Sequence, residues 1–448
     1  MKAFSVLVCT SLLMAASSAH AVDLMGVYQL AQSHDAELRA AERRLDVAGQ
    51  SPVQARAALL PQISGTASRT LGSSTPEVAG TTLPSSDIDQ ENLSIQLRQS
   101  LYSDANYGRL QRSRAELASA DAEFQEAFQA FLLRVSQRYF DVLTSLDNLT
   151  SARSEETALR RQFEQAEQRF EVGLSAITDV HEARAVYDGA RARAIVAENR
   201  LQDAREALRE VAGVYFDEYA RLIDDIPLES PDPAGSDRWV RMALASNPQV
   251  QRARSQRDAA QADLRVARAG HLPSLDLTAT LSRNVNNEFV ARDPQTQSPI
   301  GTLALETESW QAGVVLTVPI FQGFATQSRR RQAGFALRVV EEVGDQTERA
   351  VIRQTESAYR GVVAGIQEVE AIRQALVSAE SALEATNAGF EVGTRTIIDV
   401  LIAEQRFFSA QRDYSNVRHQ FILNQLRLRQ AAGLLDESDL RRVNQLLR

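Results

Sequence analysis

The chain has 448 residues, and its 58 acidic side chains outnumber its 49 lysines and arginines, giving a net charge of −9. This acidic balance argues against nucleic acid as a partner. Aromatic residues make up only 6% of the chain, which is low for a large globular core and typical of long helices with narrow packing seams. The single cysteine, Cys9, lies near the N-terminus, so we expect no disulfide or thiolate metal site in the remainder.

The first 21 residues predict a secretory signal peptide. Lys2 supplies the positive start, residues 4–16 are apolar, and Ala19-His20-Ala21 has the small-x-small pattern of a cleavage site. The apolar segment is shorter than the roughly 20 residues that span a bilayer, so a transmembrane anchor is disfavoured. We therefore expect an exported protein whose mature chain starts at or near Val22.

The exported part of the chain consists of two related halves. Residues 170–180 return as residues 390–400 with seven of eleven positions identical. We therefore predict one structural repeat over residues 22–232 and a second over 233–448. Each contains a helix, two strands, a very long helix, a corner and a returning helix, and a short tail follows the second. An acidic connector containing prolines, residues 214–237, joins the halves.

The first helix of each repeat, residues 24–59 and 238–270, ends just before a Leu-Pro pair. Stretches of alternating apolar and polar residues follow, which is the pattern of β-strands. Polar connections, residues 72–91 and 286–309, separate the strands within each repeat. The four predicted strands are residues 62–71, 92–102, 274–285 and 310–320.

These strands are ordinary soluble hairpins or membrane strands. Their length of about ten residues matches a membrane-spanning strand. Aromatic residues at their ends (Tyr102, Trp310 and Phe321) match the preference of bilayer interfaces. Four strands cannot close a barrel, and an open edge in lipid leaves backbone groups unsatisfied. If the strands cross a membrane, the chain must assemble with copies of itself, and a trimer would supply twelve strands.

A very long helix follows the strands of each repeat, over residues 104–172 and 323–392. Apolar residues recur at spacings of three, four and seven, which predicts helices supercoiled against neighbours. About 69 residues correspond to roughly 100 Å, long enough to span a gap between two membranes. Gly173 and Gly393 end these helices at a corner, and antiparallel helices return over residues 177–212 and 397–432.

Several segments resemble the TolC family of outer-membrane factors. They are GTRTIIDVL at 393–401, ILNQL at 422–426 and AAGLL at 431–435. The resemblance covers nearly the whole mature chain. It implies a mostly α fold with membrane β, a trimeric channel-tunnel in which a twelve-stranded outer-membrane barrel continues into a long α-helical barrel. Such a protein is a passive exit duct in the outer membrane that extends into the periplasm. The implied partners are outer-membrane lipid, a periplasmic adaptor and an inner-membrane ABC or proton-driven transporter.

The same resemblance implies a gate at the corners. Arg395 occupies the position of the family's gating arginine, and Thr178 and Asp179 occupy those of its partners. Two positions depart from the family. Phe390 stands at the gating tyrosine and has no hydroxyl group to donate.

At the implied pore constriction, Asp399 keeps one acidic position while Ile402 replaces a second one three residues later. A trimer would then carry one ring of three carboxylates and one apolar ring. We expect weaker cation selectivity than two acidic rings would produce.

No catalytic pattern appears in the sequence. The four histidines after the signal peptide are scattered without metal-ligand spacing, so we expect neither an enzyme nor a bound metal or cofactor. The alternative function is a periplasmic coiled-coil scaffold or adaptor without its own pore, which would explain the helices but not the strands. The exported cargo, protein or small toxic compound, stays open, with a slight preference for protein since no lipidation cysteine is present.

Overall fold

The computed structural model describes residues 21–75, 77–82, 86–292, 295 and 299–448. Except for Ala21, the predicted signal peptide lies outside these residues. The chain divides into two compact units. The helical unit comprises the described part of Met1–Ala41 together with Gln125–Asn247 and Ala350–Arg448. The sheet unit comprises Glu42–Phe124 and Pro248–Arg349. Each unit draws residues from both predicted repeats.

The sheet unit contains one antiparallel sheet of four long strands in the order β1-β4-β5-β6, and β2 and β3 form a separate small hairpin. Helix α6 (Pro248–Ala269) belongs to the same unit, as does most of α2 (Ala36–Ala57). The strands are β1 Gln62–Ser74, β2 Glu77–Val78, β3 Thr81–Thr82, β4 Ser86–Tyr102, β5 Ser274–Arg292 and β6 Pro299–Thr317.

The register of the four long strands separates apolar from polar rows. Residues directly opposite one another in adjacent antiparallel strands point to the same face. We call four directly opposite residues, one from each strand, a row. Two rows consist of apolar residues and glycine, and the next row along the strands consists of serine and threonine. The apolar rows are Ile63-Leu97-Ala279-Ala312 and Gly65-Ile95-Leu281-Trp310, and the hydroxylated row is Thr66-Ser94-Ser282-Ser309. Because side chains alternate along a strand, the two kinds of row lie on opposite faces of the sheet.

The strands differ from their predicted bounds mainly at the ends where the connections were expected. Strand β4 begins at Ser86 rather than 92, and β6 begins at Pro299 rather than 310. The polar residues of the expected connections continue the hydrogen-bonded ladder. Asp89, for example, pairs with Leu71 in the ladder, and its carboxylate forms a 3.0 Å ion pair with Arg69. An exposed ladder needs backbone pairing but no apolar alternation. Strand β6 stops at Thr317 instead of 320, since Pro319 has no N–H to donate.

The helical unit contains most of the remaining helices. The residues of α3 and α7 fall in both units. Among the described residues, no helix is both long and apolar enough to cross a bilayer. The helices not yet given are α1 Leu24–His34, α3 Asp104–Glu171, α4 Ile177–Ala212, α5 Ser236–Ser246, α7 Ala325–Glu391, α8 Ile397–Ala431 and α9 Glu437–Asn444.

The predicted single helices over residues 24–59 and 238–270 are each two helices instead, which meet at Asp35 and at Asn247. The backbone N–H of Asp35 donates to the Ala31 carbonyl and closes α1, while its carboxylate accepts from the Leu38 N–H at 2.7 Å. Asp35 also forms an ion pair with Arg134 at 2.9 Å, and it is buried. A residue that caps both helices breaks the pattern without a proline, which is why periodicity alone misses it.

The core of the helical unit lies around Tyr139, which is completely buried. Its hydroxyl donates to the Ala220 carbonyl at 2.7 Å, and its ring meets that of Phe140 edge to face at 5.9 Å. This contact fixes the connector between the repeats onto α3. The C-terminal tail packs there as well, because the Arg221 N–H donates to the Arg448 carbonyl at 2.8 Å.

Candidate functional site at the helix corners

Both long helices end in the same backbone motif. The N–H of Leu174 donates to the Arg169 carbonyl at 2.8 Å, and the N–H of Thr394 donates to the Gly389 carbonyl at 2.8 Å. These are the six-to-one bonds of a Schellman motif, which requires a left-handed residue one position earlier. Gly173 and Gly393 supply it with φ angles of +77° and +79°. The two predicted corner glycines therefore have the same backbone role.

The corners differ at the first residue of the returning helix. In the second corner Thr396 forms a capping box with Asp399. The Thr396 backbone N–H and hydroxyl each donate to Asp399 Oδ2 at 2.9 Å, and the Asp399 N–H donates to the Thr396 hydroxyl at 3.3 Å. In the first corner the equivalent position is Ala176, whose side chain makes no such bond. Only the second corner is therefore fastened through side chains at its helix start.

The capping box also sets the charge state of Asp399. The pKa of this carboxyl lies below its ordinary value of 3.8, because it accepts from the Thr396 N–H and hydroxyl and because Arg395 is close by. A carboxylate with these donors stays ionised at every physiological pH. Ile402 lies one turn further on and is 42% exposed. The two predicted constriction residues thus differ in charge as the sequence indicates.

A cavity of about 300 Å³ lies between the corners. Three of the predicted gate residues, Asp179, Phe390 and Arg395, line it together with Gly393. Thr178, Gly173, Asp399 and Ile402 do not line it. Within the described part of the chain, no carboxylate lies within ion-pair distance of Arg395. The structure therefore brings the predicted cation and one predicted acceptor to one cavity without pairing them.

Arg169 is a corner residue that sequence reasoning missed. Its guanidinium lies over the ring of Phe390, 4.8 Å from the centroid, in a cation–π contact. Phe390 lacks a hydroxyl but retains the aromatic face that this contact requires. Aligning the two similar segments would have marked this residue, because Arg169 stands where the second segment has Gly389. A side chain at 389 would meet Arg395, since an added Cβ would lie 2.8 Å from the Arg395 Cγ.

A small apolar cluster lies behind the cavity. Phe390 packs against its edge, and the rings of Phe163 and Tyr187 stack nearby at 6.1 Å with nearly parallel planes. The buried members are Leu159, Ala166, Val180, Ala183, Ala190, Ile397 and Leu401. They come from α3, α4 and α8, so the cluster holds the two corners together within one chain.

A buried carboxylate lies further along α3. The side chain of Glu155 is only 2% exposed, and it forms ion pairs with Arg193 of α4 at 2.6 Å and Arg412 of α8 at 2.8 Å. One acidic residue therefore ties both returning helices to the first long helix. The position 220 residues later is Ala375, so this clamp exists in one copy only.

A second buried carboxyl, Glu404, has incomplete hydrogen bonding. Its Oε1 accepts from Gln162 at 3.1 Å, whereas its Oε2 is buried without a hydrogen-bond partner in the described structure. Burial raises its pKa above the ordinary value of 4.5, and the nearby Glu155 acts in the same direction. The equivalent residue of the first copy is Arg184, which is exposed and 3.9 Å from Asp188. The burial of Glu404 could not be predicted from the sequence, because acidic residues on helices usually face water.

Comparison with known proteins identifies what the chain resembles. It matches the model of the family described as outer membrane efflux protein over residues 27–214 and 239–434. It is 36% identical over 428 residues to the outer membrane protein TolC of Vibrio cholerae, covering 96% of this chain and 94% of that protein. It is 28% identical over 439 residues to the alkaline protease secretion protein AprF of Pseudomonas aeruginosa, covering 96% and 89%.

The fold has solved counterparts. The outer membrane protein VceC of Vibrio cholerae matches with a TM-score of 0.75 at 20% identity, covering 92% of this chain and 96% of VceC. An identity this low supports the fold and leaves the site residues to be argued from the chain itself.

Proposed function

The chain belongs to the family of outer membrane efflux proteins, and from this premise we propose how it assembles, closes and exports its cargo. It is an exit duct of the outer membrane that extends into the periplasm. Its membership and its four-stranded sheet give no support to the alternative of a scaffold without a pore. We propose that three copies form the duct, each contributing four strands to one barrel of twelve.

The observation that carries the assembly is the register of the sheet. Apolar rows such as Gly65-Ile95-Leu281-Trp310 occupy one face, and the row Thr66-Ser94-Ser282-Ser309 occupies the other. A membrane barrel needs an apolar outside facing lipid and a polar lumen. Among the described residues, the outer strands β1 and β6 each pair with a single neighbour, so closure requires edges from other copies.

The internal repeat is proposed as the second element of this design. The family model matches the chain in two segments, residues 27–214 and 239–434, which parallel the two halves. The paired Schellman corners at Gly173 and Gly393 support the same interpretation. A duplicated chain gives a trimer six similar helical hairpins around one axis.

The gate is proposed to be a set of bonds between Arg395 of one copy and Thr178 and Asp179 of the next. Arg395 is exposed, and within the described part of its own chain it has no carboxylate partner, so it is available to a neighbour. A charge-assisted bond of this kind is worth about 1.5–3 kcal/mol. Three of them would hold a bistable entrance closed.

The constriction is proposed to be a ring of three Asp399 carboxylates next to a ring of Ile402 side chains. The capping box keeps Asp399 ionised, because it lowers the pKa of the carboxyl. One charged ring attracts cations into the entrance, whereas the apolar ring adds no second binding site. The proposed selectivity is therefore cationic but modest.

The proposed cargo is secreted protein, with small toxic compounds as a second class. AprF, a relative matched along almost the whole chain, is named for alkaline protease secretion. The duct holds no energy source of its own in this proposal. A periplasmic adaptor and an inner-membrane ABC or proton-driven transporter would dock at the corners and open the gate.

The proposal is tested by single-channel conductance in a planar bilayer. The native protein should form small pores, and Arg395→Ser should conduct several-fold more, because the latch is lost. Arg44→Ser, an exposed arginine of α2 in the sheet unit, serves as the control and should match the native protein. If neither protein forms a pore, the duct is contradicted. If Arg395→Ser and native pores conduct equally, only the gate is wrong.

A further inference from the structure

Strand β6 is followed by three exposed apolar residues, which we call the hook: Ile320, Phe321 and Phe324. We call residues 318–331 the second junction, since they comprise the connection from β6 to α7 and the first two turns of α7. Ile320 is 95% exposed, Phe321 73% and Phe324 72%. The two phenyl rings meet edge to face at 5.5 Å. Three large apolar side chains so exposed beside the end of a strand need a nonpolar environment outside the chain.

The backbone presents this hook in a strained conformation. Phe324 has a φ of +66°, a left-handed value that is uncommon for a bulky residue, and Gly323 before it has a φ of +58°. Strain of this kind is characteristic of functional segments. The turn is closed by the Ala325 N–H, which donates to the Gln322 carbonyl at 3.1 Å.

Three consecutive arginines stand next to the hook. Arg329, Arg330 and Arg331 are all exposed. Among the described residues, no carboxylate lies within ion-pair distance of any of the three. The second junction therefore places a concentrated positive charge beside an apolar surface, which is the complement of an anionic amphiphile.

A cavity of about 290 Å³ joins the apolar and basic parts. Arg330, His271 and Gln327 line it together with the hook. The Thr326 hydroxyl donates to Gln322 Oε1 at 2.6 Å, which leaves the Gln322 amide group as a donor. Cation, amide and imidazole groups together are suited to phosphate oxygens.

The corresponding junction of the first repeat lacks these features. We call residues 103–112 the first junction. Of its two arginines, Arg112 forms ion pairs with Glu116 at 2.8 Å and Asp263 at 3.0 Å. Arg109 donates to the Asn106 side chain at 2.5 Å. The open cation site is therefore specific to the second junction and not a general property of sheet-to-helix connections in this chain.

We propose that the second junction binds an anionic phospholipid of the surrounding bilayer. The hook enters the acyl region, while Arg330, supported by His271 and Gln327, binds the headgroup phosphate. Arg329 and Arg331 add a surface charge that attracts anionic lipid. This inference rests on the proposed placement of the strands in the membrane, and it adds a specific lipid site to a surface that otherwise needs only nonpolar contact.

The combination of features selects a lipid over other occupants. A free phosphate ion would use the cation but leave the hook in water. A neutral lipid would cover the hook but leave the arginines without counter-ions. A second copy of this chain would have to bring an acidic and apolar segment together.

The test uses the full-length protein purified in detergent, with binding followed by native mass spectrometry and by thermal unfolding. The probes are short-chain phosphatidylglycerol, short-chain phosphatidylcholine and inorganic phosphate. The native protein should bind phosphatidylglycerol more tightly than the other two. Arg330→Gln should weaken that binding roughly fivefold, the effect of one arginine near an anionic surface. Arg112→Gln, at the first junction, should leave it unchanged.

Two further variants separate the parts of the site. Arg330→Lys should retain most of the binding because it keeps the charge, and Ile320→Ser should weaken both lipids alike. Equal binding of phosphatidylglycerol by native protein and Arg330→Gln would overturn the inference. So would inorganic phosphate binding as tightly as the lipid.

Pore formation by the same samples keeps the two proposals apart. If Arg330→Gln binds the lipid normally and still forms pores, the lipid site alone is wrong. If the native protein forms no pore and is released from membranes by salt, the proposed duct fails as well.

Discussion

The two corners are built on the same bend and then diverge. Both use a left-handed glycine, but the second adds a capping box of Thr396 and Asp399 where the first has Ala176 and an unboxed Asp179. The shared residues therefore define the turn, because only glycine adopts its φ without strain. The residues that differ set the stiffness and the charge of each corner.

The same contrast continues into the helices behind the corners. Glu155 binds two arginines, whereas the corresponding residue 220 positions later is Ala375. Glu404 is buried, whereas the corresponding residue 220 positions earlier, Arg184, is exposed. The two corners and the helices behind them are therefore not equivalent within one chain. Such asymmetry suits a gate, since a latch needs a donor on one side and an acceptor on the other.

The largest effect on stability is expected from removing Glu155, which is part of this asymmetry. Glu155→Ala leaves Arg193 and Arg412 facing each other without their shared carboxylate. Because both arginines keep contact with water, the cost is that of two lost charge-assisted bonds, about 3 kcal/mol. The free energy of unfolding in detergent, measured by denaturant titration, should fall by that amount. Glu156→Ala is the matched control and should change stability by less than about 0.5 kcal/mol. Equal effects of the two variants would show that the clamp is not stabilising.

Glu404 should give a smaller effect that depends on pH. Since its folded pKa is raised above 4.5, the protonated carboxyl favours the fold at low pH. That contribution is lost as the pH rises through the folded pKa, when an ionised and partly unpaired carboxylate is left buried. Glu404→Gln should therefore stabilise the protein by about 1–3 kcal/mol at pH 7 and by little below pH 4.5.

The measurement for Glu404 is thermal unfolding at several pH values. Glu384→Gln, an exposed acid on α7, provides the control and should show no such trend. A stabilisation by Glu404→Gln that is the same at all pH values would contradict the argument, because it could not come from titration of this carboxyl.

The smallest effects should come from exchanging the caps. Thr396→Ala removes a side-chain cap and should cost about 1 kcal/mol at pH 7. The pKa of Asp399 is lowered in the fold, so the stability from its ionised form is present at neutral pH and is lost as the pH falls below 3.8. The cost of Thr396→Ala should therefore shrink in acid. Ala176→Thr should stabilise the first corner through Asp179, and unfolding curves that show no gain would mean that the corners differ in more than the cap.

The sequence predicted the secondary structure of this chain well wherever a pattern was local. The corner glycines, the helix ends and the Leu-Pro breaks are each decided by backbone sterics within a few residues. Asp35 escaped detection because its backbone N–H ends one helix and its carboxylate starts the next, with no proline or glycine at the break. The early start of β6 at Pro299 escaped because an exposed ladder tolerates polar residues.

Residue types and their spacing were enough to predict the order of elements, the repeat and the gate candidates, and they carried the family resemblance. Tertiary structure alone decided which of those residues meet. It brought Arg395, Asp179 and Phe390 to one cavity, placed Arg169 over Phe390, and buried Glu155 and Glu404. Burial and pairing depend on contacts between helices that are far apart in the sequence. A local pattern therefore does not predict which face of a charged helix becomes buried.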